Sequence, residues 1–184
     1  SEIGMPILFK FGRSSFPHFH QIDEMSCGPT CLRIIASHFG RTIRRSEAEA
    51  LTFKGKQGIS MLSLCDAAEA LGMRTLPAYC SYEKLVESRN FPFIAHWRQN
   101  HFLVVYGIER GRVLVSDPAA PGLASYSEAE FRRYWLSGGD DVGIAIFFET
   151  TPEFYTQASG EEEASVKIFS LLAGYLRGHG PLVR

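Results

Sequence analysis

Apolar residues recur at helical spacing in three stretches of the first half of the chain. These stretches predict helices that begin near Cys27, Ser46 and Ser60. Both serines are common N-cap residues, and Gly40 and Gly72 are natural helix stops. The apolar faces of the first and third helices are formed by Cys31, Leu32, Ile34, Ile35 and Phe39, and by Met61, Leu64, Cys65, Ala68 and Leu71.

The second half of the chain changes to runs rich in β-branched and aromatic residues, which predict strands. The predicted strands are residues 74–79, 93–97, 101–108, 112–117 and 143–149. Short capped helices at residues 81–88 and 127–135 interrupt them, and residues 109–111 are typical of a hairpin turn. Because helices precede strands, the pattern predicts an α+β domain. In it, an N-terminal helical half packs on a C-terminal, mostly antiparallel sheet.

The last part of the chain has a different character from the domain predicted over residues 1–150. Residues 151–160 are predicted to be a linker, because they show no sustained period. Residues 161–184 open with three glutamates and continue with apolar positions on one face, which predicts a helix. This tail is not needed to complete the domain, so we expect it to lead into a further part of a longer protein.

Composition narrows the classes of function. Of the 184 residues, 45% are hydrophobic, and the formal net charge is -1, which gives no basic footprint for nucleic acid. No apolar run is long enough to span a bilayer unaided. Four cysteines lack the spacing of a zinc site, and a domain of this size needs no disulfides. We therefore expect free thiols, no metal, and another reason for at least one cysteine.

Cys27 is the candidate nucleophile, because it stands at the predicted start of a helix. A thiolate is stabilised there by free backbone N–H groups and by the helix dipole. Gly28, the next residue, would let a substrate backbone approach closely. The alternative for Cys27 is a buried structural cysteine, and for Cys31, one turn later on the apolar face, that alternative is the prediction.

A nucleophilic cysteine needs a base, and His101 is the candidate, since it opens a predicted strand; His96 is its main competitor. Asp117 ends the strand after the hairpin and could orient His101. An odd-residue turn would place the two side chains on one face of the sheet, and a two-residue turn would place them on opposite faces. Gln21, six residues before Cys27, could donate to an oxyanion together with the Cys27 backbone N–H.

These residues lie in three motifs that together resemble those of the C39 peptidase family. Gln21, Cys27, Gly28, Cys31 and Leu32 match the spacing of its cysteine box. Residues 101–108 look like its histidine box and residues 115–119 like its aspartate box. The resemblance covers about residues 15–150, with one departure, since Ser26 stands where the family usually has Asp.

The resemblance implies a papain-like fold and a cysteine endopeptidase that cuts a leader peptide after Gly-Gly. The catalytic residues would be Cys27 as nucleophile, His101 as base and acid, Asp117 as the group that orients His101, and Gln21 in the oxyanion hole. The domain would lie at the cytoplasmic face of the bacterial cell membrane, as part of an ABC transporter. Transmembrane and ATPase domains would follow it, and ATP would bind only the absent ATPase domain.

Two other functions stay open at this point. The domain could dock the leader of a secreted cargo peptide and cut it slowly or not at all. It could also be a different papain-like cysteine hydrolase that acts on small amide or acyl substrates. The intact set of Cys27, His101 and Asp117 favours the peptidase over the docking domain, and the tail after residue 150 favours it over a free-standing enzyme.

Overall fold

The computed structural model describes residues 15–53, 59–136 and 141–157. In these ranges, a short 3-10 helix (Glu24–Ser26) is followed by five named α-helices and six β-strands, and residues 152–157 are also helical. The helices are α1 (Cys27–His38), α2 (Arg45–Thr52), α3 (Met61–Ala70), α4 (Tyr82–Ser88) and α5 (Glu128–Trp135). The strands are β1 (Met73–Cys80), β2 (Phe93–Trp97), β3 (His101–Glu109), β4 (Arg112–Ser116), β5 (Leu123–Ser127) and β6 (Gly143–Thr150).

The described strands form one antiparallel sheet in the order β1-β6-β2-β3-β4-β5. One face packs against α1, α2 and α3, and its core includes Ile34, Ile35, Leu64, Val104 and Ile146. The other face packs against α4 and α5, with an aromatic core that includes Phe93, Trp97, Phe131 and Trp135. The predicted α+β arrangement is confirmed. In addition to the predicted helical half, α4 and α5 cover the second face of the sheet.

The predicted serine caps agree with the structure at three helices and differ at one. Ser60, Ser81 and Ser127 cap α3, α4 and α5 through side-chain hydrogen bonds to the first turn. Ser46 does not cap α2, because that helix already begins at Arg45 and its N-cap is Arg44, which makes no side-chain cap bond. The prediction that Ser46 caps this helix is therefore wrong, since Ser46 lies in its first turn.

The strand β5 was not predicted. Its sequence, Leu-Ala-Ser-Tyr-Ser, has little β-branched character, and it lies at the edge of the sheet beside β4. An edge strand needs fewer apolar side chains than a central one, so its periodic signal is weak. β5 matters to the site because it closes the loop that follows Ser116.

A β-bulge in the β3–β4 hairpin decides which residues share a face. The turn has two residues, Arg110 and Gly111, both at positive φ. Tyr106 is left unpaired, and the register shifts by one between Val105 and Gly107. A two-residue turn alone would separate His101 and Asp117 onto opposite faces, but the bulge supplies the extra residue that returns them to the same face.

Residues 152–157, within the expected linker, are helical and pack on the domain. Phe154 is fully buried in the core under α1 and α3. The buried Arg41 donates to the Leu71 carbonyl at 3.2 Å and to Gln157 Oε1 at 3.1 Å. The packed part of the domain thus extends to at least Gln157. Residues 158–184, including the predicted terminal helix, lie outside the described residues.

Among the described residues, none of the helices combines the length and apolarity that crossing a membrane requires.

Candidate active site

Cys27 is the first residue of α1 and its side chain is 4% exposed. The N-cap Ser26 makes no side-chain bond to the helix, and its hydroxyl donates instead to Asp23 Oδ1 at 2.7 Å. Where the resemblance led us to expect Asp, this serine therefore leaves the first N–H groups of α1 without a side-chain cap. Cys27 thus stands at the N-terminal end of α1, where the helix dipole points its positive end.

His101 links Asp117 to Cys27. Its Nε2 lies 2.7 Å from Asp117 Oδ1, and Cys27 is close enough to the ring to raise its pKa. Because Nε2 is engaged by the carboxylate, Nδ1 is the ring nitrogen left for the sulfur. The structure thus brings together three side chains that are far apart in sequence, on one face of the sheet and at the start of α1.

The surroundings of His101 favour its charged form. Burial of the ring lowers its pKa, but the hydrogen bonds to Asp117 and Cys27, together with their negative charges, raise the pKa to about 9. An imidazolium held between a carboxylate and a thiol is the arrangement expected of a cysteine–histidine ion pair. At neutral pH, His101 therefore carries a proton that it can deliver.

Asp117 is held in its ionised form. Burial raises its pKa, but hydrogen bonds from His101 and from the Ala119 N–H, with the charges of His101 and His18, lower the pKa overall. The Ala119 N–H donates to Asp117 Oδ1 at 2.9 Å. The Ala120 N–H donates to the Asp117 carbonyl at 2.9 Å, which closes a tight turn after β4. Asp117 is thus fixed before any substrate arrives.

The turn that leads into His101 is fastened to α5. Arg98 and Gln99, between β2 and β3, both adopt positive φ, at 49° and 63°. The Arg98 N–H donates to the Tyr134 carbonyl at 3.1 Å, and the Arg98 guanidinium lies 4.0 Å from the centre of the Tyr134 ring. These contacts hold an unfavourable backbone conformation directly before the catalytic candidate.

Gln21 lies next to the Asp117 turn, because its backbone N–H donates to the Pro118 carbonyl at 2.9 Å. Its side-chain Oε1 is buried and has no hydrogen-bond partner among the described residues. A buried polar side chain without a partner costs about 1–3 kcal/mol and is typical of a site that a ligand completes.

Two residues near Cys27 have structural roles. A Cβ on Gly28 would lie 2.6 Å from Ile59 Cγ2 and 3.2 Å from Leu64 Cδ2. The missing side chain at Gly28 therefore leaves room for Ile59, in the segment that leads into α3. The sequence had suggested that this room is for the substrate backbone. Cys31 is fully buried in the core, and burial, followed by the charges of Cys27 and Asp117, raises the pKa of its thiol. It is a small core residue, as predicted.

The competing histidine does not reach this site. His96 lies in β2, its ring packs on Phe102 with centroids 5.2 Å apart, and burial lowers its pKa. All four cysteines are free thiols. Within the described ranges, no group of three or more His, Cys, Asp or Glu side chains is arranged so that it could hold a metal ion.

Comparisons with known proteins identify the family of the chain. The sequence model of the peptidase C39 family matches residues 15–151. The chain belongs to the peptidase C39 family. It is 31% identical over 141 residues to the colicin V secretion/processing ATP-binding protein CvaB of Escherichia coli, with 77% of this chain and 19% of that protein covered.

Solved structures confirm the papain-like peptidase fold expected of this family. A double glycine motif protease from an AMS/PCAT transporter, solved with a leader peptide, superposes with a TM-score of 0.66 at 26% identity and covers 77% of this chain and 96% of that one. The peptidase domain of Streptococcus ComA, a bi-functional ABC transporter involved in a quorum-sensing pathway, gives 0.65 at 28% identity, with 74% and 99% covered. The chain spans about a fifth of the length of the curated relatives it matches.

Proposed function

We propose that this domain is a cysteine endopeptidase that cuts a leader peptide after a Gly-Gly pair, within a transporter that exports the processed cargo. The observation that carries the proposal is the His101 ring, which is hydrogen-bonded to Asp117 at 2.7 Å and lies close enough to Cys27 for the thiol to raise its pKa. Family membership over residues 15–151 supports the same chemistry.

The chemistry uses protein side chains alone. The Cys27 thiolate attacks the carbonyl carbon of the second glycine, and the carbonyl electrons move onto its oxygen. As the intermediate collapses, the His101 imidazolium gives its proton to the departing amine and a thioester remains on Cys27. Water then attacks the thioester, neutral His101 takes a proton from it, and the peptide leaves as a carboxylic acid.

The oxyanion needs donors that are in place before the reaction. The Cys27 backbone N–H, at the uncapped start of α1, is one such donor. The Gln21 carboxamide is the second, through the N–H groups of its Nε2, since the half-buried Gln21 adjoins the Asp117 turn through its backbone bond to Pro118. The role of Asp117 is to hold the ring orientation and to stabilise the imidazolium, without accepting its proton.

The substrate and the setting come from relatives. One solved relative is named as a double glycine motif protease in complex with the leader peptide. Curated relatives are named as a colicin V secretion/processing and a mesentericin-Y105 transport/processing ATP-binding protein. By the same logic, the domain works at the cytoplasmic face of a bacterial cell membrane. Its transmembrane and ATPase domains belong to the longer protein, and ATP binds there.

Mass spectrometry of a leader–cargo peptide containing Gly-Gly tests the proposal. The chain is expected to make a single cut after the second glycine, and Cys27→Ala is expected to make none. Cys80→Ala is the matched control, since Cys80 lies on β1, three strands away from β3, and its loss should leave cutting intact.

The same experiment separates the other functions. Tight binding of the peptide without any cut, by both the chain and Cys27→Ala, would replace the peptidase with a leader-docking domain. If the chain neither binds nor cuts the peptide, only the assignment of the fold stands, and small amide and acyl substrates should be tested next.

A further inference from the structure

The segment before Cys27 lies against the Asp117 turn as an irregular strap of residues 16–21. At its start, the Phe16 ring stacks on the bulge residue Tyr106, with centroids 4.2 Å apart and planes 8° from parallel. At its end, the Gln21 N–H donates to the Pro118 carbonyl. The strap therefore joins the β3–β4 hairpin to the start of α1, and its last residue is the proposed oxyanion donor.

His18 makes the central contacts of this strap. Its Nδ1 lies 2.9 Å from the hydroxyl of Ser116, directly before Asp117, and its Nε2 lies 3.1 Å from the carbonyl oxygen of Ala120, three residues after it. A carbonyl oxygen can only accept, so Nε2 donates. Ser116 is fully buried, and its hydroxyl also donates to the Pro17 carbonyl at 3.1 Å. His18 thus bridges both ends of the turn that carries Asp117.

We propose that His18 is a positioning residue that sets Gln21 at the oxyanion site by fixing the strap to the Asp117 turn. The inference rests on the proposed peptidase function. Asp117 has its own supports in the Ala119 N–H and the His101 ring. Among the described residues, Gln21 is linked to that turn by its backbone bond to Pro118 alone. The charge of His18 is the smallest of the influences that lower the pKa of Asp117, so loss of His18 is expected to act on Gln21 far more than on Asp117.

The proposal predicts a split between two reactions of Cys27. Cleavage of a peptide passes through an oxyanion, whereas alkylation of the thiol by iodoacetamide does not. His18→Phe, which keeps a ring but removes both nitrogens, is expected to lower kcat for leader cleavage at least about tenfold, because small misplacements of a catalytic group are costly. The rate of Cys27 alkylation and its pH profile are expected to stay unchanged.

His20→Phe is the matched control. His20 is also in the strap and lies 3.3 Å from the same Ala120 carbonyl oxygen, but it is exposed and does not reach Ser116. It is expected to cut at close to the normal rate. Ser116→Ala, which removes the hydroxyl that His18 contacts, should reproduce the effect of His18→Phe and guards against a folding defect specific to the phenylalanine.

A double-mutant cycle identifies the partner through which His18 acts. Gln21→Ala alone is expected to lower kcat about 10²–10³-fold, as loss of one oxyanion donor does elsewhere. In the Gln21→Ala background, His18→Phe should add no further loss. If His18→Phe lowers kcat by the same factor in the Gln21→Ala background as in the unmodified chain, the proposal is overturned. A changed pH profile of Cys27 alkylation in His18→Phe would also overturn it. Either result would point to an effect on Asp117 or to general destabilisation.

One measurement does not depend on peptidase activity. Backbone amide exchange at Gln21, followed by NMR, should speed up in His18→Phe and stay slow in His20→Phe, since the bond to Pro118 is lost only in the first. Unchanged exchange in His18→Phe would disprove the positioning role even if no leader peptide is ever cut. A chain that cuts nothing but shows the expected exchange would overturn the proposed function and leave the strap contact standing.

Discussion

At the scale of single residues, the charge of His101 is the property most open to test. Its pKa is raised to about 9, so the imidazolium that donates to the leaving amine persists through neutral pH and is lost as the pH rises through 9. The alkaline limb of kcat/KM, which reports groups of the free enzyme, is therefore expected near pH 9.

Asp117→Asn tests the cause of this raised pKa. The substitution removes a negative charge that favours the imidazolium, so the alkaline limb should move to lower pH by about 1 unit or more. Asp66→Asn, a change of the same kind at an exposed position on α3, should leave the limb in place. An identical limb in Asp117→Asn and the unmodified chain would contradict the assignment of His101 as the titrating acid.

The sequence predicted Cys27, His101 and Asp117, which the structure brings together, but it did not point to His18, which we propose positions Gln21. Cys27, His101 and Asp117 each stand at the end of a predicted element, within motifs whose spacing is local. His18 has no such signal, because its contacts to Ser116 and Ala120 join positions about a hundred residues apart. A histidine in an irregular segment looks the same in sequence whether it is exposed or bridges a turn.

At the scale of elements, the β3–β4 hairpin shows why register is hard to predict from sequence. A two-residue turn at Arg110 and Gly111 is consistent with the sequence, yet by itself it gives the wrong face for Asp117. The bulge at Tyr106 corrects this, and Val105 and Ile108 consequently face the same aromatic core although they are three residues apart. Nothing in the local sequence marks Tyr106 as the unpaired residue.

Deletion of Tyr106 should be tolerated by the sheet. Val105 would still pair with Val115, and Gly107 with Leu114, so the ladder becomes regular and His101 stays on the face of Asp117. We expect a folded protein with the His101–Asp117 contact intact, visible as an imidazolium signal by NMR at neutral pH.

Deletion of Val105 is the matched comparison. It would move Tyr106 into the place of a fully buried valine opposite Val115. Overpacking of this kind costs about 1–3 kcal/mol or more. Urea unfolding should therefore show a clearly lower midpoint for the Val105 deletion than for the Tyr106 deletion. Equal midpoints would mean that Tyr106 is not the residue the ladder leaves out.

Gly72, at the end of α3, joins the helical half to the segment after β6. It has φ +85, and a Cβ there would lie 2.5 Å from the Phe154 backbone nitrogen. Gly40 also has positive φ, at +94, but no atom lies within 4 Å of its would-be Cβ. Comparing alanine substitutions at the two glycines therefore separates the cost of backbone strain, which both positions share, from the cost of close packing, which only Gly72 has.

Gly72→Ala is expected to be more destabilising than Gly40→Ala. Both pay about 1–2 kcal/mol for a left-handed residue with a side chain, but only Gly72→Ala must also displace residues 153 and 154. Chemical denaturation of the two variants measures the difference. If Gly40→Ala lost as much stability as Gly72→Ala, the close contact with Phe154 would carry no energetic weight.

At the scale of the whole molecule, the important difference from the sequence is where the domain ends. Phe154 is one apolar position in a run that lacks any helical or strand period, so the sequence offered no sign that residues 152–157 pack on the domain. The structure buries Phe154 completely and places Arg41, itself buried, against Leu71 and Gln157. Residues 152–157 therefore pack against the helical half of the domain, which also contains Cys27 on α1.

A chain that ends at Thr150 should accordingly be much less stable than one that ends at Gln157. Phe154→Ala in the longer chain isolates the main cause and is expected to lower the free energy of unfolding by about 3–5 kcal/mol. Tyr155→Ala, at the neighbouring half-exposed ring, should cost less than about 1 kcal/mol. Because α1 packs in the same core as Phe154, the shorter chain should also alkylate Cys27 with a less defined pH profile. Equal stability of the two chains would return the domain boundary to residue 150 and make residues 151–157 part of a linker after all.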